Sequence, residues 1–427
     1  MKNVFVFLSL SILLSCSSKD TEIYQWRGEG RKGIVPDKNL LTGWPEKGPE
    51  ELWSINGIGN GHSSPTFTDD RFYITGEKDS MAVLQCYNIE GEKVWESVLG
   101  PEWTKSYPGT RSAPTIAGKH LYTVTGKGNI FCVDTKTGKV IWSRDFEEDA
   151  NGVPTMHGFT EAPVVNGNKV FWVPGGKIHN VLALDRFTGD TIWSSDGLGE
   201  RSGYNQGNLI VLPERSIFVT FSAYHLMGFD TDNGDLLWYH EQDNLAPEER
   251  ILGMGDTHSN SIIYENGAIY YQAGDGNCGV RLDISPDGTK ITEIWRSRWF
   301  DGFMGGIIKL GDYIYGSSAT KPELRVINAA SGEAVDSLRI GQGALISADN
   351  LLYYYSQAGT MFLISPGNGH PEVISSFRIT RGELQHFAHP VINNGILYQR
   401  HGDVLMAFNI KNKTRYNSSF NIDECLE

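Results

Sequence analysis

The sequence is short of positive charge, of long apolar runs and of patterned cysteine. Its 427 residues carry 37 Lys and Arg against 51 Asp and Glu, a formal net charge of −14. An anionic field of that size repels phosphate backbones, which sets aside a nucleic-acid partner. One long apolar run exists, Val4 to Leu14. A polytopic membrane protein would need several, each of about 20 residues. The five cysteines form no CxxC and no CxxCH, so neither a zinc ribbon nor a covalent c-type haem is indicated. What is abundant points elsewhere: 49 Gly together with 11 Trp, 18 Tyr and 19 Phe suit tight turns joining packed strands rather than helices.

The N-terminus reads as an address. Lys2 is a positive n-region, and Val4 to Leu14 is too short to cross a bilayer but right for a signal h-region. Leu13-Leu14-Ser15-Cys16 then resembles a bacterial lipobox, in which cleavage precedes a cysteine that receives acyl chains. Cys16 is therefore the candidate lipidation residue, and several acyl chains anchor far more firmly than one at about 0.8 kcal/mol per buried CH₂. The expectation is a signal peptide over 1–15, a lipidated polar tether over 16–23 and one domain over 24–427, held to the bacterial outer membrane on its periplasmic or surface face. Lys19-Asp20-Thr21-Glu22 is loosely similar to the acidic surface-export signals of some diderm bacteria.

Self-similarity fixes the architecture. Ser112 to Arg144 splits into four β-type runs, Ala113–Ala117, His120–Thr125, Asn129–Asp134 and Lys139–Arg144, separated by Gly-bearing turns. That is one antiparallel meander. The unit recurs, closing at Trp95, Trp142, Trp193, Trp238 and Trp295, with degenerate copies closing at Val335 and Ile374. Steps of about 40–50 residues with four strands each mean β-propeller blades. The C-terminal stretch Pro390–Ile410 supplies three strands and no fourth, while Glu51-Leu52-Trp53-Ser54 is an orphan fourth strand. Joining them gives an all-β, eight-bladed β-propeller of four-stranded antiparallel blades, its ring closed by N- and C-terminal strands and its free edges removed.

The repeat's signature is A/C/F-x-D-x-x-T-G-x-x-x-W. Thr-Gly or Asn-Gly turns the chain between third and fourth strands, and Asp134, Asp185 and Asp230 are expected to accept hydrogen bonds from that turn's amides. The tryptophans, Trp53 included, are expected to dock each blade on its neighbour. Cys86 and Cys132 occupy the position filled by Ala183 and Gly228 in the next two copies, a slot for a small buried side chain.

The pattern resembles the PQQ-like (quinoprotein alcohol dehydrogenase-like) repeat family, and Gln25-Trp26-Arg27-Gly28 through Leu52-Trp53-Ser54 looks like the start of a bacterial group within it. A lipidated propeller of this kind is also similar to the lipoprotein of the outer-membrane barrel-assembly machinery. The quinoprotein resemblance implies PQQ in the central channel, a Glu and an Asn holding Ca²⁺, and an Asp as base. Carried over residue by residue, Glu161 and Asn205 would be the calcium ligands and Asp256 the base. The sequence departs from that pattern in having no adjacent cysteines, no Trp beside these positions and no haem motif.

The residues before each blade's first strand converge on one end of the channel. They bring together His62, Arg111, Glu161, Asn205, Asp256, His258 and His389, a polar ring that is the candidate ligand site. The bland alternative is a watered channel with satisfied polar walls. Asp256 and His258, on one face of a strand, could share a metal ion, whereas His386 and His389 lie on different faces. Three function classes follow: a noncatalytic scaffold or ligand-binding propeller with no cofactor, the favoured reading; a PQQ- and calcium-dependent alcohol or sugar dehydrogenase; and a hydrolase or lyase using channel His and Glu. Other envelope proteins or a small ligand are the expected partners.

Overall fold

The computed structural model describes residues 22–204, 206–242, 246–250, 258–273 and 278–412. Cys16, Asn205, Asp256 and Cys425 lie outside the described residues, as do most of the signal and tether. The strands form eight antiparallel four-stranded sheets, two of which gain a fifth short strand from the N-terminal segment. Among the described residues the helices are three-residue 3-10 turns. Blade 2 follows the repeat: Thr115–Ala117, His120–Val124, Ile130–Asp134 and Val140–Arg144. Blade 8 is completed as expected, with Glu50–Asn56 pairing antiparallel to Val404–Asn409 and Trp53 opposite Ala407.

Each blade is buried on both faces, so its middle strands are buried along their length rather than on alternate residues, and are mostly apolar. The core is accordingly divided, and a separate apolar cluster fills each seam between neighbouring blades. At the outer end of a seam the fourth-strand indole lies over the turn glycine of the next blade. A side chain added at Gly138 would sit 2.6 Å from the Trp95 ring, and one at Gly234 2.5 Å from the Trp193 ring. The indole N–H then donates to a carbonyl of that turn: Trp95 to Thr135, Trp142 to Arg186, Trp193 to Thr231, Trp238 to Gly288 and Trp295 to Ala329, at 2.9–3.1 Å. Trp53 stacks on Phe72 with centroids 6.0 Å apart and covers Gly91.

The turn aspartates hold the surface the indole rests on. Asp134 Oδ1 accepts from the Thr137 amide at 2.8 Å, and Asp185 Oδ1 from the Phe187 amide at 2.9 Å. The small-residue slot is the cross-strand partner of the same blade's own Trp: Cys86 faces Trp95, Cys132 faces Trp142, Ala183 faces Trp193 and Gly228 faces Trp238. A methyl group at Gly228 would meet the Trp238 ring at 2.3 Å, which is why the slot stays small.

The N-terminal segment is a feature the repeat did not announce. Ile23–Tyr24 adds to the inner strand of blade 2, and Ile34–Val35 adds in parallel to the inner strand of blade 7. Between them the chain crosses the central channel as a strap. It then runs out between blades 7 and 8, where Leu40 and Trp44 join that seam's apolar cluster, before entering blade 8.

Candidate functional site

At the blade-opening end of the channel lies a cavity of about 420 Å³, to which all eight blades contribute. That size falls within the range of small-molecule sites, roughly 300–1,000 Å³. One side is an arc of rings in successive contact: His62 and Phe387 at 5.3 Å, Phe387 and Tyr107 at 5.7 Å, Tyr107 and His157 at 5.7 Å, His157 and Tyr204 at 5.9 Å. Phe303, Met304, Gln342 and Gln357 line the opposite side, from blades 6 and 7. Trp26, carried on the strap, is the floor, and Arg111 is the guanidinium on the wall. A second cavity of about 540 Å³ runs beside the strap against blades 7, 8 and 1, and Trp26, Ser64 and His389 line both spaces.

The strap is seated by two buried arginines. Arg27 donates to the Leu345 carbonyl at 2.7 Å and the Ile307 carbonyl at 2.6 Å, both on inner strands, and its Nη1 lies 3.3 Å from His389 Nδ1. Gly33 and Gly306 make the room, because a side chain at either would lie within 2.3 Å of the guanidinium. Arg31 donates to the Pro163 carbonyl at 2.9 Å, and the Gly30 carbonyl accepts from Asn208 Nδ2 at 2.8 Å. Burial draws both guanidinium groups down to about 9, still charged at neutral pH.

Of the seven ring residues read from the sequence, three line the cavity. His62 is pushed down to about 3 by burial and by Arg111 and Arg400, so it is a neutral imidazole. His389 is likewise driven well down by burial and Arg27, and it meets the Trp26 edge at 5.0 Å. Arg111 holds the Tyr107 loop through the Ser106 carbonyl at 2.9 Å and the Tyr107 carbonyl, and burial lowers it to about 10. Glu161 lies off the cavity wall. It accepts from the Val173 amide at 3.1 Å, with Arg31 as the cation nearby, and burial raises its carboxyl to about 8. His258 is also elsewhere: its Nε2 lies 2.5 Å from Gln242 Nε2 and 2.9 Å from the Ala223 carbonyl, at the junction of blades 4 and 5. Asn205 and Asp256 fall outside the described residues.

The sequence reading placed no Trp near the blade openings, and the structure corrects it: Trp26 arrives from the strap, over 35 residues before the first opening strand. Reading each blade from its opening Pro also passed over the aromatic side chains on the loops from one blade's outer strand to the next blade's inner strand. Tyr107, His157 and Phe303 come from there. Their signal was a ring-rich stretch beside each opening, visible in Trp103-x-x-x-Tyr107 and Trp299-Phe300-x-x-Phe303.

The family implied by the repeat carries PQQ and Ca²⁺, and the described residues do not fit that pair. Glu161, the matching carboxylate, is turned to a backbone amide beside the strap's Arg31. Cys86, Cys132 and Cys278 are buried within blades rather than over the cavity. No group of three or more His, Cys, Asp or Glu among the described residues is arranged to hold a metal ion.

Comparison with known proteins agrees with the fold. Quinoprotein alcohol dehydrogenase PedH of Pseudomonas putida is 25% identical over 243 residues, 52% of this chain and 39% of that protein. The chain thus spans well under half the length of this curated relative. The crystal structure of BamB from Moraxella catarrhalis superposes with a TM-score of 0.59 at 14% identity, over 85% of this chain and 98% of that one. Quinohemoprotein alcohol dehydrogenase from Comamonas testosteroni gives 0.66 at 13% identity, over 93% and 82%. The family described as outer membrane protein assembly factor BamB matches residues 80–338, more than half of the chain, and this propeller belongs to it.

Proposed function

We propose that this protein is an envelope lipoprotein that binds a small ligand, or presents a surface to other envelope proteins, without converting what it binds. The supporting observation is the strap. Beneath the cavity, where an enzyme of this fold needs its cofactor and metal, the channel holds the chain's own Arg27 and Arg31. Family membership supports an envelope setting beside other outer-membrane assembly proteins, and Cys16 would provide the anchor. Cys16→Ala should leave unprocessed or soluble protein. Unchanged membrane partitioning in that variant, with no acyl mass on Cys16, removes the anchor from the proposal.

The enzyme reading is kept for one reason: Trp26 supplies the aromatic floor that the sequence lacked, and PedH is a relative. The deciding experiment titrates PQQ with Ca²⁺ into the purified protein, by calorimetry and an alcohol panel with an artificial electron acceptor. The expected result is no tight binding and no turnover. Micromolar or tighter binding that Glu161→Ala and Asn205→Ala abolish, with turnover lost in Asp256→Asn, would reverse the ranking.

A further inference from the structure

The cavity has a chemistry of its own. Its described lining contains no Asp, Glu or Lys, although the protein as a whole is strongly anionic. The fixed charge on its wall is Arg111, and Arg27 lies 5.4 Å from the Trp26 ring that forms the floor. Two nearby carboxyl groups offset this field only in part. Burial raises Glu102, which faces Arg111, to about 7 and Glu161 to about 8, so neither is fully ionised at neutral pH, while the guanidinium groups keep their charge. A cationic ligand is disfavoured and an anionic group is welcome at the Arg111 side.

The rest of the wall asks for more than an anion. Aromatic faces carry negative quadrupoles and pack best against C–H groups or cations, not against carboxylates. Between the rings stand neutral donors and acceptors: Ser64, Thr160, Ser259, Gln357 and the neutral imidazole of His62. Ser64, Thr160 and Gln357 already donate, to the His389 carbonyl, the Tyr204 carbonyl and Met304 Sδ, but among the described residues both ring nitrogens of His62 are buried without a hydrogen-bond partner. A flat aromatic acid would leave them so, whereas a sugar hydroxyl can satisfy them. One ligand class answers to all three features. We propose that the cavity takes an acidic sugar, a pyranose bearing one carboxylate, with its C–H face against the aromatic arc and its carboxylate toward Arg111. This rests on the binding reading above and adds the ligand's class to it.

The test uses the full-length protein, with intrinsic Trp fluorescence and calorimetry as readouts. The probes are D-galacturonate, its methyl ester, D-galactose, D-galactosamine and benzoate. The expected order has galacturonate at least tenfold tighter than its methyl ester and galactose, with galactosamine and benzoate weaker still. Rising salt should weaken galacturonate and leave galactose unchanged. Arg111→Gln should bring galacturonate down to the level of galactose, and Phe387→Ala should weaken both. Because Arg111 also holds the Tyr107 loop, the ester comparison on the unaltered protein decides if that variant is unstable. Equal affinity for acid and ester, tighter binding of benzoate, or no response to any sugar overturns the acidic-sugar proposal. The noncatalytic reading is judged separately by the PQQ titration, so the two can fail independently.

Discussion

The seams after blades 1 to 5 and the seams after blades 6 and 7 solve one problem in two ways. In the first group a fourth-strand Trp donates to a carbonyl of the next blade's turn, and in all but the blade 4 case, where Ile217 and Leu212 cover Gly288, it also lies on that turn's glycine. In blade 6 the position corresponding to that Trp belongs to Val335-Asp336, and docking passes to the second strand. There Tyr315 Oη donates to the Pro366 carbonyl at 2.8 Å and accepts from the Gly369 amide at 3.0 Å. Between blades 7 and 8 the indole comes from outside the blades altogether: Trp44 of the strap packs on Phe377 and Tyr353 at 5.0 and 6.0 Å. A seam needs a large ring at one place, joined in the seams after blades 1 to 6 by a donor to the neighbouring turn, and the chain is free to supply the ring from any element that reaches it. Loss of the signature Trp is therefore not loss of the seam.

The most severe way to test this is to open the ring. Removing residues 391–427 strips blade 8 to the single strand Glu50–Asn56 and leaves the neighbouring seams without a partner. The expected outcome is loss of cooperative unfolding, because each blade draws its core from both neighbours. A truncated protein that melts in one transition at the parent temperature would show that closure is dispensable.

A single-residue comparison is next in size. Trp193→Ala and Trp44→Ala each remove a buried indole, and each is expected to cost about 3–5 kcal/mol by chemical denaturation. They should differ in place. Amide exchange should quicken across Thr191–Ser195 in the first variant and across Glu372–Arg378 in the second. If Trp44→Ala left the blade 7 strand protected, the strap would be a passive cover and not the substitute docking group.

A smaller effect separates the two kinds of seam by one oxygen. Tyr122 Oη donates to the Arg186 carbonyl, but Trp142 donates there as well, at 3.1 Å. Tyr122→Phe leaves that carbonyl satisfied and should cost less than about 1 kcal/mol. Tyr315→Phe withdraws the hydroxyl that Pro366 and Gly369 share, in a blade with no indole in reserve, and should cost about 1–3 kcal/mol. Equal costs would mean that the blade 6 seam has another partner for that turn.

The same contrast explains what could be read from the sequence. Everything periodic was legible: four strands per unit, the Asp-x-x-Thr-Gly turn, the Trp spacing, and the orphan strand at Trp53 whose partners wait near residue 407. These repeat because every blade meets the same geometry. The strap and the cavity occur once. Nothing in Gln25-Trp26-Arg27 states that the segment crosses the channel, since its hydrogen bonds go to carbonyls of Ile307, Leu345 and Pro163, far along the chain. His62, Arg111 and His389 were found because they sit beside a blade-opening Pro or Ala. Blades 6 and 7 lack that marker, so Met304 and Gln342 were missed. Glu161 and His258 share the register of the cavity residues, yet Val173 and Gln242 take their side chains inward.

The smallest expected effect concerns pH, and it sharpens the difference between channel and seam. The indole itself does not titrate, and the turn aspartate Asp134 is held below its ordinary value by the Thr137 hydroxyl and amide, so seam stability is level until the pH falls below the usual carboxylate range. The channel is different, and its two kinds of group act in opposite directions. His62 is held neutral in the fold, at about 3 against an unfolded value near 6.5. The unfolded chain therefore binds the proton first, and stability falls as pH drops from about 6.5 toward 3. His389 adds to the same slope. Glu161 is raised to about 8 against an unfolded value near 4.3. Here the folded state keeps the proton that the unfolded chain releases, so stability falls as pH rises from about 4.3 to 8. Denaturant midpoints should accordingly be highest where the two windows overlap, between about pH 4.3 and 6.5, because there the opposite slopes offset each other. His62→Gln should flatten the acid side, and Glu161→Gln should flatten the alkaline side and gain on the parent most clearly at pH 8. A Glu161→Gln variant that follows the parent curve from pH 5 to 8 would mean that Glu161 is ionised in the fold, with Arg31 as a full ion partner and not a distant neighbour.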